Sequence, residues 1–113
     1  MRILPLDRSR TFREYDYPRK LSLYTPLRHF LQRYQEQERF LTGDVVRSCI
    51  NDGDLRDNGD GCACFRKEWG SGVAYYLIAG FHKDGYRVLV TAWPHLHDRD
   101  AALDSGRWSS DEL

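Results

Sequence analysis

Four histidines, a preponderance of arginine over lysine and one pair of neighbouring cysteines are the groups with which this chain could do chemistry. His29 and Arg33 stand four apart, which on a helix places both on one face. His82, Arg87, Thr91 and His95 lie along or beside residues 72–94, GVAYYLIAGFHKDGYRVLVTAWP, which read as a β-hairpin. Imidazole, guanidinium, phenol and hydroxyl groups suffice to cleave RNA without a metal. One group takes the 2′-hydroxyl proton, another protonates the leaving oxygen, and cations or donors hold the phosphate.

A second constellation pairs Cys62 and Cys64 with His95 and His97, each pair spaced by two. On extended strands such pairs point to one face, and two thiolates with two imidazoles would complete a tetrahedral zinc site. That spacing is unusual for zinc, and no further C-x-x-C occurs, so a metal-free chain with reduced cysteines is the plainer expectation. Each histidine also has a plain reading as a surface or satisfied structural residue. Arg33 and Arg39 have one as partners of Glu36 and Glu38 on the helix surface, and Trp69, Tyr75 and Trp93 one as core aromatics.

These side chains need elements to hold them. The hairpin's two runs, rich in Val, Ile, Leu, Tyr and Phe, flank Lys83-Asp84-Gly85, and the second is expected to stop at Pro94. On it Tyr76 should share a face with Ile78 and His82, while Arg87, Leu89, Thr91 and Trp93 share one on the next strand, an aromatic and basic surface for stacking and phosphate contact. Thr25-Pro26 reads as a cap and first turn, followed by Leu27, Phe30, Leu31 and Tyr34 at helical spacing and an end near 37–39. A second helix is predicted from Thr42, burying Val45, Val46, Cys49 and Ile50 and stopping at Asp52-Gly53. Residues 57–61 read as a loop and 62–69 as a strand, with room for an earlier strand near Leu55. The order is ααβββ, an α+β domain with two helices on one face of an antiparallel meander. Residues 1–20 are expected as a partly flexible arm, 21–97 as the single domain, and 98–113 as an acidic tail.

His29, Arg33, Arg39, Thr42, Val46, Ile50 and Gly53, with a hairpin ending in Val90-Thr91, resemble a family of small domains of unknown function related to the RelE and ParE toxins. That family is similar in outline to the barnase, colicin and RelE ribonuclease superfamily. The shared pattern, His-x3-Arg-x5-Arg-x2-Thr and two short helices before a sheet, covers residues 25–94. The resemblance implies two N-terminal helices on a three- to four-stranded meander. It also implies a toxin-type, metal-independent endoribonuclease or its inactive descendant, without a cofactor. His29, Arg33, Arg87 and Thr91 would be its catalytic groups, and Arg39, Tyr76, His82 and His95 its nucleic-acid contacts. RNA or the ribosome, and an antitoxin-like protein, would be its partners.

Composition sets the outer bounds. At 113 residues the chain is long enough for one core, its formal net charge is zero, and its front half is basic while its end is acidic. The longest apolar run, 73–79, is too short to span a bilayer, and the amino end lacks the apolar stretch of a signal peptide, so the cytoplasm is expected. Gly70-Ser71-Gly72 reads as a turn, 52–54 and 57–61 as solvated loops without the rest of a calcium motif, and nothing matches a P-loop or a dinucleotide fingerprint. Besides the ribonuclease, a non-enzymatic module of plasmid or viral origin that binds protein or nucleic acid fits the same residues, and a metal-binding regulator is the third reading.

Overall fold

The computed structural model describes residues 5–36, 42–70 and 72–104. One five-stranded mixed sheet runs in the order β1-β5-β4-β3-β2, made of β1 (Thr25–Pro26), β2 (Asp54–Gly59), β3 (Cys62–Gly70), β4 (Val73–Phe81) and β5 (Arg87–Leu96). β2 to β5 form an antiparallel meander, and β1 joins the outer side of β5 in parallel. The helices are α1 (Arg28–Glu36), α2 (Gly43–Asp52) and α3 (Arg99–Asp104). The α+β class is therefore as expected, but the order is not two helices and then a meander: a parallel edge strand precedes α1, and a third helix follows the sheet. Among the described residues no helix is long and apolar enough to cross a membrane.

Local chemistry explains most element ends. The Thr42 hydroxyl caps α2 by accepting from the Val45 N–H at 3.3 Å, and Val45, Val46, Cys49 and Ile50 are buried as the spacing predicts. Gly53 ends the helix by donating to Cys49 O at 3.0 Å, and a side chain there would begin only 2.4 Å from that oxygen. Thr25-Pro26 does not open α1. Both residues pair with Val88 and Leu89, and Leu27 donates to Leu89 O at 2.9 Å, so the helix starts only when Leu31 N–H reaches back to Leu27 O. The capping signature loses here because the outer edge of β5 offers the same backbone groups stronger, already ordered partners.

The main core lies between the helices and one face of the sheet, where Phe30, Val45, Ile50, Phe65, Tyr75, Leu77, Phe81, Leu89 and Ala102 are buried together. Residues 5–20, expected as an arm, are part of it. Tyr17 is 3% exposed, with its ring stacked on Phe12 and edge-on to Phe65 and Phe81. Further forward, Leu6 bridges His82 on the opposite face of the sheet and is buried with Cys62, Ile78, Val88 and Val90, against which Leu27 and Cys64 pack. This smaller cluster covers one end of the second face and, among the described residues, leaves the other end open. Residues 99–104, expected in the acidic tail, form α3, and positions 105–113 lie outside the described residues.

One irregularity decides which side chains meet. In the β4–β5 pair Ile78 stands opposite Thr91 but Ala79 opposite Leu89, so Val90 is an extra residue without a partner, a β-bulge. Alternation is broken there. Arg87 and Leu89 face the helices, whereas Val88, Val90, Thr91, Trp93 and His95 face the other side, so the expected common face of Arg87, Leu89, Thr91 and Trp93 does not form. β5 also continues through Pro94 to Leu96; it pairs with β1 only at Val88 and Leu89, and a proline without an N–H is tolerated on such an edge.

Candidate functional site

The register of β3 on β4, and of β4 on β5, brings together residues distant in sequence. Arg66 stands opposite Tyr76, and Tyr76 opposite Trp93; Glu68 stands opposite Ala74, and Ala74 opposite His95. All these positions share the sheet face away from the helices. Tyr76 and Trp93 stack in parallel, with centroids 5.4 Å apart and planes 4° from coincidence. Arg66 flanks Tyr76 from the β3 side, its guanidinium carbon 5.7 Å from the ring centroid and its Nε donating to the Tyr76 hydroxyl at 3.2 Å. His95 meets the Tyr76 ring edge-on at 6.1 Å, and the His95 and His97 rings are 6.4 Å apart.

Glu68 ties this group together electrostatically. Its carboxylate accepts from His97 Nε2 at 2.6 Å and from Arg66 Nη2 at 2.9 Å. The His97 hydrogen bond in the first place, helped by Arg66, holds the Glu68 carboxyl below the ordinary range. The Tyr76 hydroxyl pulls the other way on Arg66, raising the guanidinium further above neutrality. His97 is set where the chain leaves β5: its N–H donates to Gly72 O at 2.9 Å, and Asp98 N–H reaches the same oxygen at 3.2 Å. Gly72 adopts a left-handed φ of 72° and lies so close to Asp98 that a Cβ would fall 2.3 Å from the Asp98 carbonyl oxygen.

The residues singled out from sequence do not all gather here. Tyr76, His95 and His97 belong to the cluster; Thr91 lies on the same face, one side chain along β5 from Trp93 and opposite Ile78. His29 and Arg33 are exposed on α1, on the far side of the sheet. Arg87 is there too, donating to Asp16 O at 2.6 Å with its guanidinium carbon 5.6 Å from the Phe81 ring centroid. The four groups expected to be catalytic thus do not converge on one cleft. His82 closes the β4–β5 turn, its ring stacked on Tyr86 at 4.5 Å and its Nδ1 accepting from Asp84 N–H. It stands six residues along β4 from Tyr76, about 20 Å away. Arg39 lies outside the described residues.

The zinc arrangement fails for a similar reason. Cys64 is opposite Ile78 and His95 opposite Ala74, so the two pairs are displaced by four residues along β4, about 13 Å, where metal bonds need about 2 Å. Among the described residues no three His, Cys, Asp or Glu side chains come together as a metal site. Burial raises the thiol pKa of both Cys62 and Cys64 and pushes Cys49 up to about 12, which makes all three poor nucleophiles.

Arg66 and Glu68 are the members that sequence reasoning missed, while Trp93 was expected on a stacking surface but grouped with Arg87 and Leu89, which face the other way. The signal was present in the turn: if Gly70-Ser71-Gly72 closes a hairpin, Glu68 must sit by Ala74 and Arg66 by Tyr76, and alternation then carries Cys62, Cys64, Arg66 and Glu68 onto one face. Chemically, the surface offers two imidazoles, one held by a carboxylate, an adjacent guanidinium, and a stacked aromatic pair with Trp93 38% exposed. Comparison with known proteins found no family model, no curated protein and no solved structure that matches this chain.

Proposed function

We propose that the open sheet face binds single-stranded RNA and cleaves it without a metal. The observation that carries this reading is the juxtaposition of His95 and His97, 6.4 Å apart, with Arg66 and the Tyr76–Trp93 stack. Two imidazoles at that separation can flank one phosphate. His95 takes the 2′-hydroxyl proton, the O2′–P bond forms as the P–O5′ bond breaks, and His97, protonated and oriented by Glu68, gives its proton to the departing 5′-oxygen. Arg66 faces the charge that builds on the phosphate oxygens, and the exposed Arg56, opposite Cys64 on the same face, adds a second cation for the backbone. The products are a 2′,3′-cyclic phosphate and a free 5′-hydroxyl. The toxin-type relationship suggested by the sequence would add the ribosome as the setting for such cleavage.

The test is cleavage of a mixed-sequence RNA in EDTA, with and without ribosomes. His95→Ala and His97→Ala should each lower the rate by about 10² to 10⁴, whereas His29→Ala with Arg33→Ala should leave it near the parent's. Loss of cleavage in the α1 variant with the sheet variants unaffected would overturn the assignment.

A second reading has its own observation. The cluster lies on an open face rather than in a cleft, and Arg66 is already engaged by Glu68 and Tyr76, as in a surface that binds RNA without cutting it. RNA bound by the parent but left intact under every condition would select it.

A further inference from the structure

Among the described residues the Arg66–Tyr76–Trp93 row continues no further on the Trp93 side, and we infer that this end, the outer face of Trp93, is a docking site for a single unpaired nucleobase. The inference rests on the RNA reading of this face and extends it to what part of the RNA is recognised. In the row Arg66, Tyr76, Trp93 the three groups come from β3, β4 and β5 in that order. Tyr76 is therefore covered on both sides, by the guanidinium on one and by the parallel indole 5.4 Å away on the other. Among the described residues Trp93 has its stacking partner on the β4 side and is 38% exposed, although β5 around it is a strand whose neighbours Val88, Leu89, Val90 and Ala92 are buried. A flat, electron-rich ring left uncovered at the end of a preformed stack suits a planar base, because the stack fixes the indole in advance and no side-chain freedom remains to be lost.

The occupant follows from what surrounds the ring. His95 lies two residues along β5 on the same face, about 7 Å from Trp93, close to the length of one nucleotide. A base on Trp93 thus places its own ribose and phosphate against His95, with His97 and Arg66 beyond. An apolar peptide side chain would find cations and imidazoles where it needs apolar surface; a nucleotide finds a partner for each of its parts. A stacking platform of this kind accepts any base but demands that it be unpaired, so duplex RNA is excluded and base identity matters little.

The experiment uses a fluorescently labelled 2′-O-methyl RNA octamer, which lacks the attacking hydroxyl and cannot be cut, and an abasic backbone of the same length and charge. Anisotropy titrations of the full chain should show the octamer binding about ten- to a hundredfold more tightly than the abasic chain. Trp93→Ala should erase that difference, and Trp93→Phe should keep most of it, with circular dichroism confirming that both are folded. Equal affinity of the parent for the two oligomers, no binding of either, or discrimination that survives in folded Trp93→Ala would each overturn the inference. Cleavage is scored separately on unmodified RNA. No cleavage with base discrimination intact refutes the ribonuclease reading alone, and cleavage without discrimination refutes the Trp93 site alone.

Discussion

Replacing Tyr17 by alanine tests whether the amino-terminal segment belongs to the cooperative fold. Its ring is stacked on Phe12 at 5.9 Å and meets Phe81 and Phe65 edge-on at 5.5 and 6.5 Å, with 3% of its surface exposed. The hydroxyl contributes little, since its bond to Gly61 O is 3.4 Å long. Truncating a buried aromatic costs about 3–5 kcal/mol through lost burial and the cavity left behind, against a total stability of about 5–15 kcal/mol for a domain of this size. At about 4 °C per kcal/mol the melting temperature should fall by about 12–20 °C. Urea unfolding followed by circular dichroism measures the change, with Tyr15→Ala as the control: Tyr15 is 74% exposed, and its loss should stay within about 0.5 kcal/mol. A Tyr17→Ala change no larger than the control's would mean that residues 5–20 detach without cost to the rest, and the packing argued for Leu6 and Tyr17 would be wrong.

Three further outcomes follow from the same geometry. A double-mutant cycle with Glu68→Gln and His97→Gln should give a coupling of about 0.2–1 kcal/mol near pH 6, as expected for a half-exposed pair. Because His97 lowers the Glu68 carboxyl in the folded state, that contribution is complete above the ordinary glutamate value of about 4.3 and is lost as pH falls through the lowered folded one; a coupling undiminished near pH 2 would refute the pairing. Gly72→Ala should cost about 2 kcal/mol or more, measured by urea unfolding, and displace His97 from the proposed RNA site, whereas Gly85→Ala, with an equally left-handed backbone (φ +99°) but open space, should cost only about 1 kcal/mol; similar costs for the two would show that the close approach to Asp98 is not felt. Deleting Val90 removes the bulge while leaving both flanking registers in place, so the variant should fold with a loss of about 2 kcal/mol, the burial of one valine, measured by urea unfolding; an unfolded product would show that the bulge itself sets the register.

The sequence carried the parts of this fold that depend on local chemistry. Thr42, the buried stripe of α2 and the stop at Gly53 follow from capping and helical spacing, and the turn at 83–85 follows from Gly85. What it did not carry depends on contacts made at a distance. Thr25-Pro26 has the same local signature whether it caps a helix or pairs with β5, and only the free edge of β5 decides. Residues 5–20 show little periodicity because they contribute single anchors, Leu6 to one face and Tyr17 to the other, rather than a stripe. The bulge at Val90 leaves no local trace, since Val-Leu-Val-Thr reads as an unbroken strand; yet it alone separates Arg87 from Thr91 and so dissolves the grouping expected around them. His95 and His97 were visible as a pair, but not their carboxylate, because Glu68 reaches them only across β4.

The placement of the cluster follows from how the second sheet face is divided. Three adjacent strands change character at the same register line. On β3 the side chains pass from Cys62 and Cys64 to Arg66 and Glu68; on β4 from Ile78 to Tyr76; on β5 from Val88 and Val90, past Thr91, to Trp93 and His95. Folding accounts for the first half, because Leu6 and Leu27 lie over it and require apolar partners. It accounts for the second only in part. Tryptophan and tyrosine favour strands, and a cross-strand aromatic pair contributes about 0.2–1 kcal/mol, so the Tyr76–Trp93 stack serves the sheet as well; yet over a third of the indole surface still faces water beside two imidazoles. The position of Trp93 at the end of an ordered row, beside the groups able to handle a phosphate, is what the proposed nucleotide site would require.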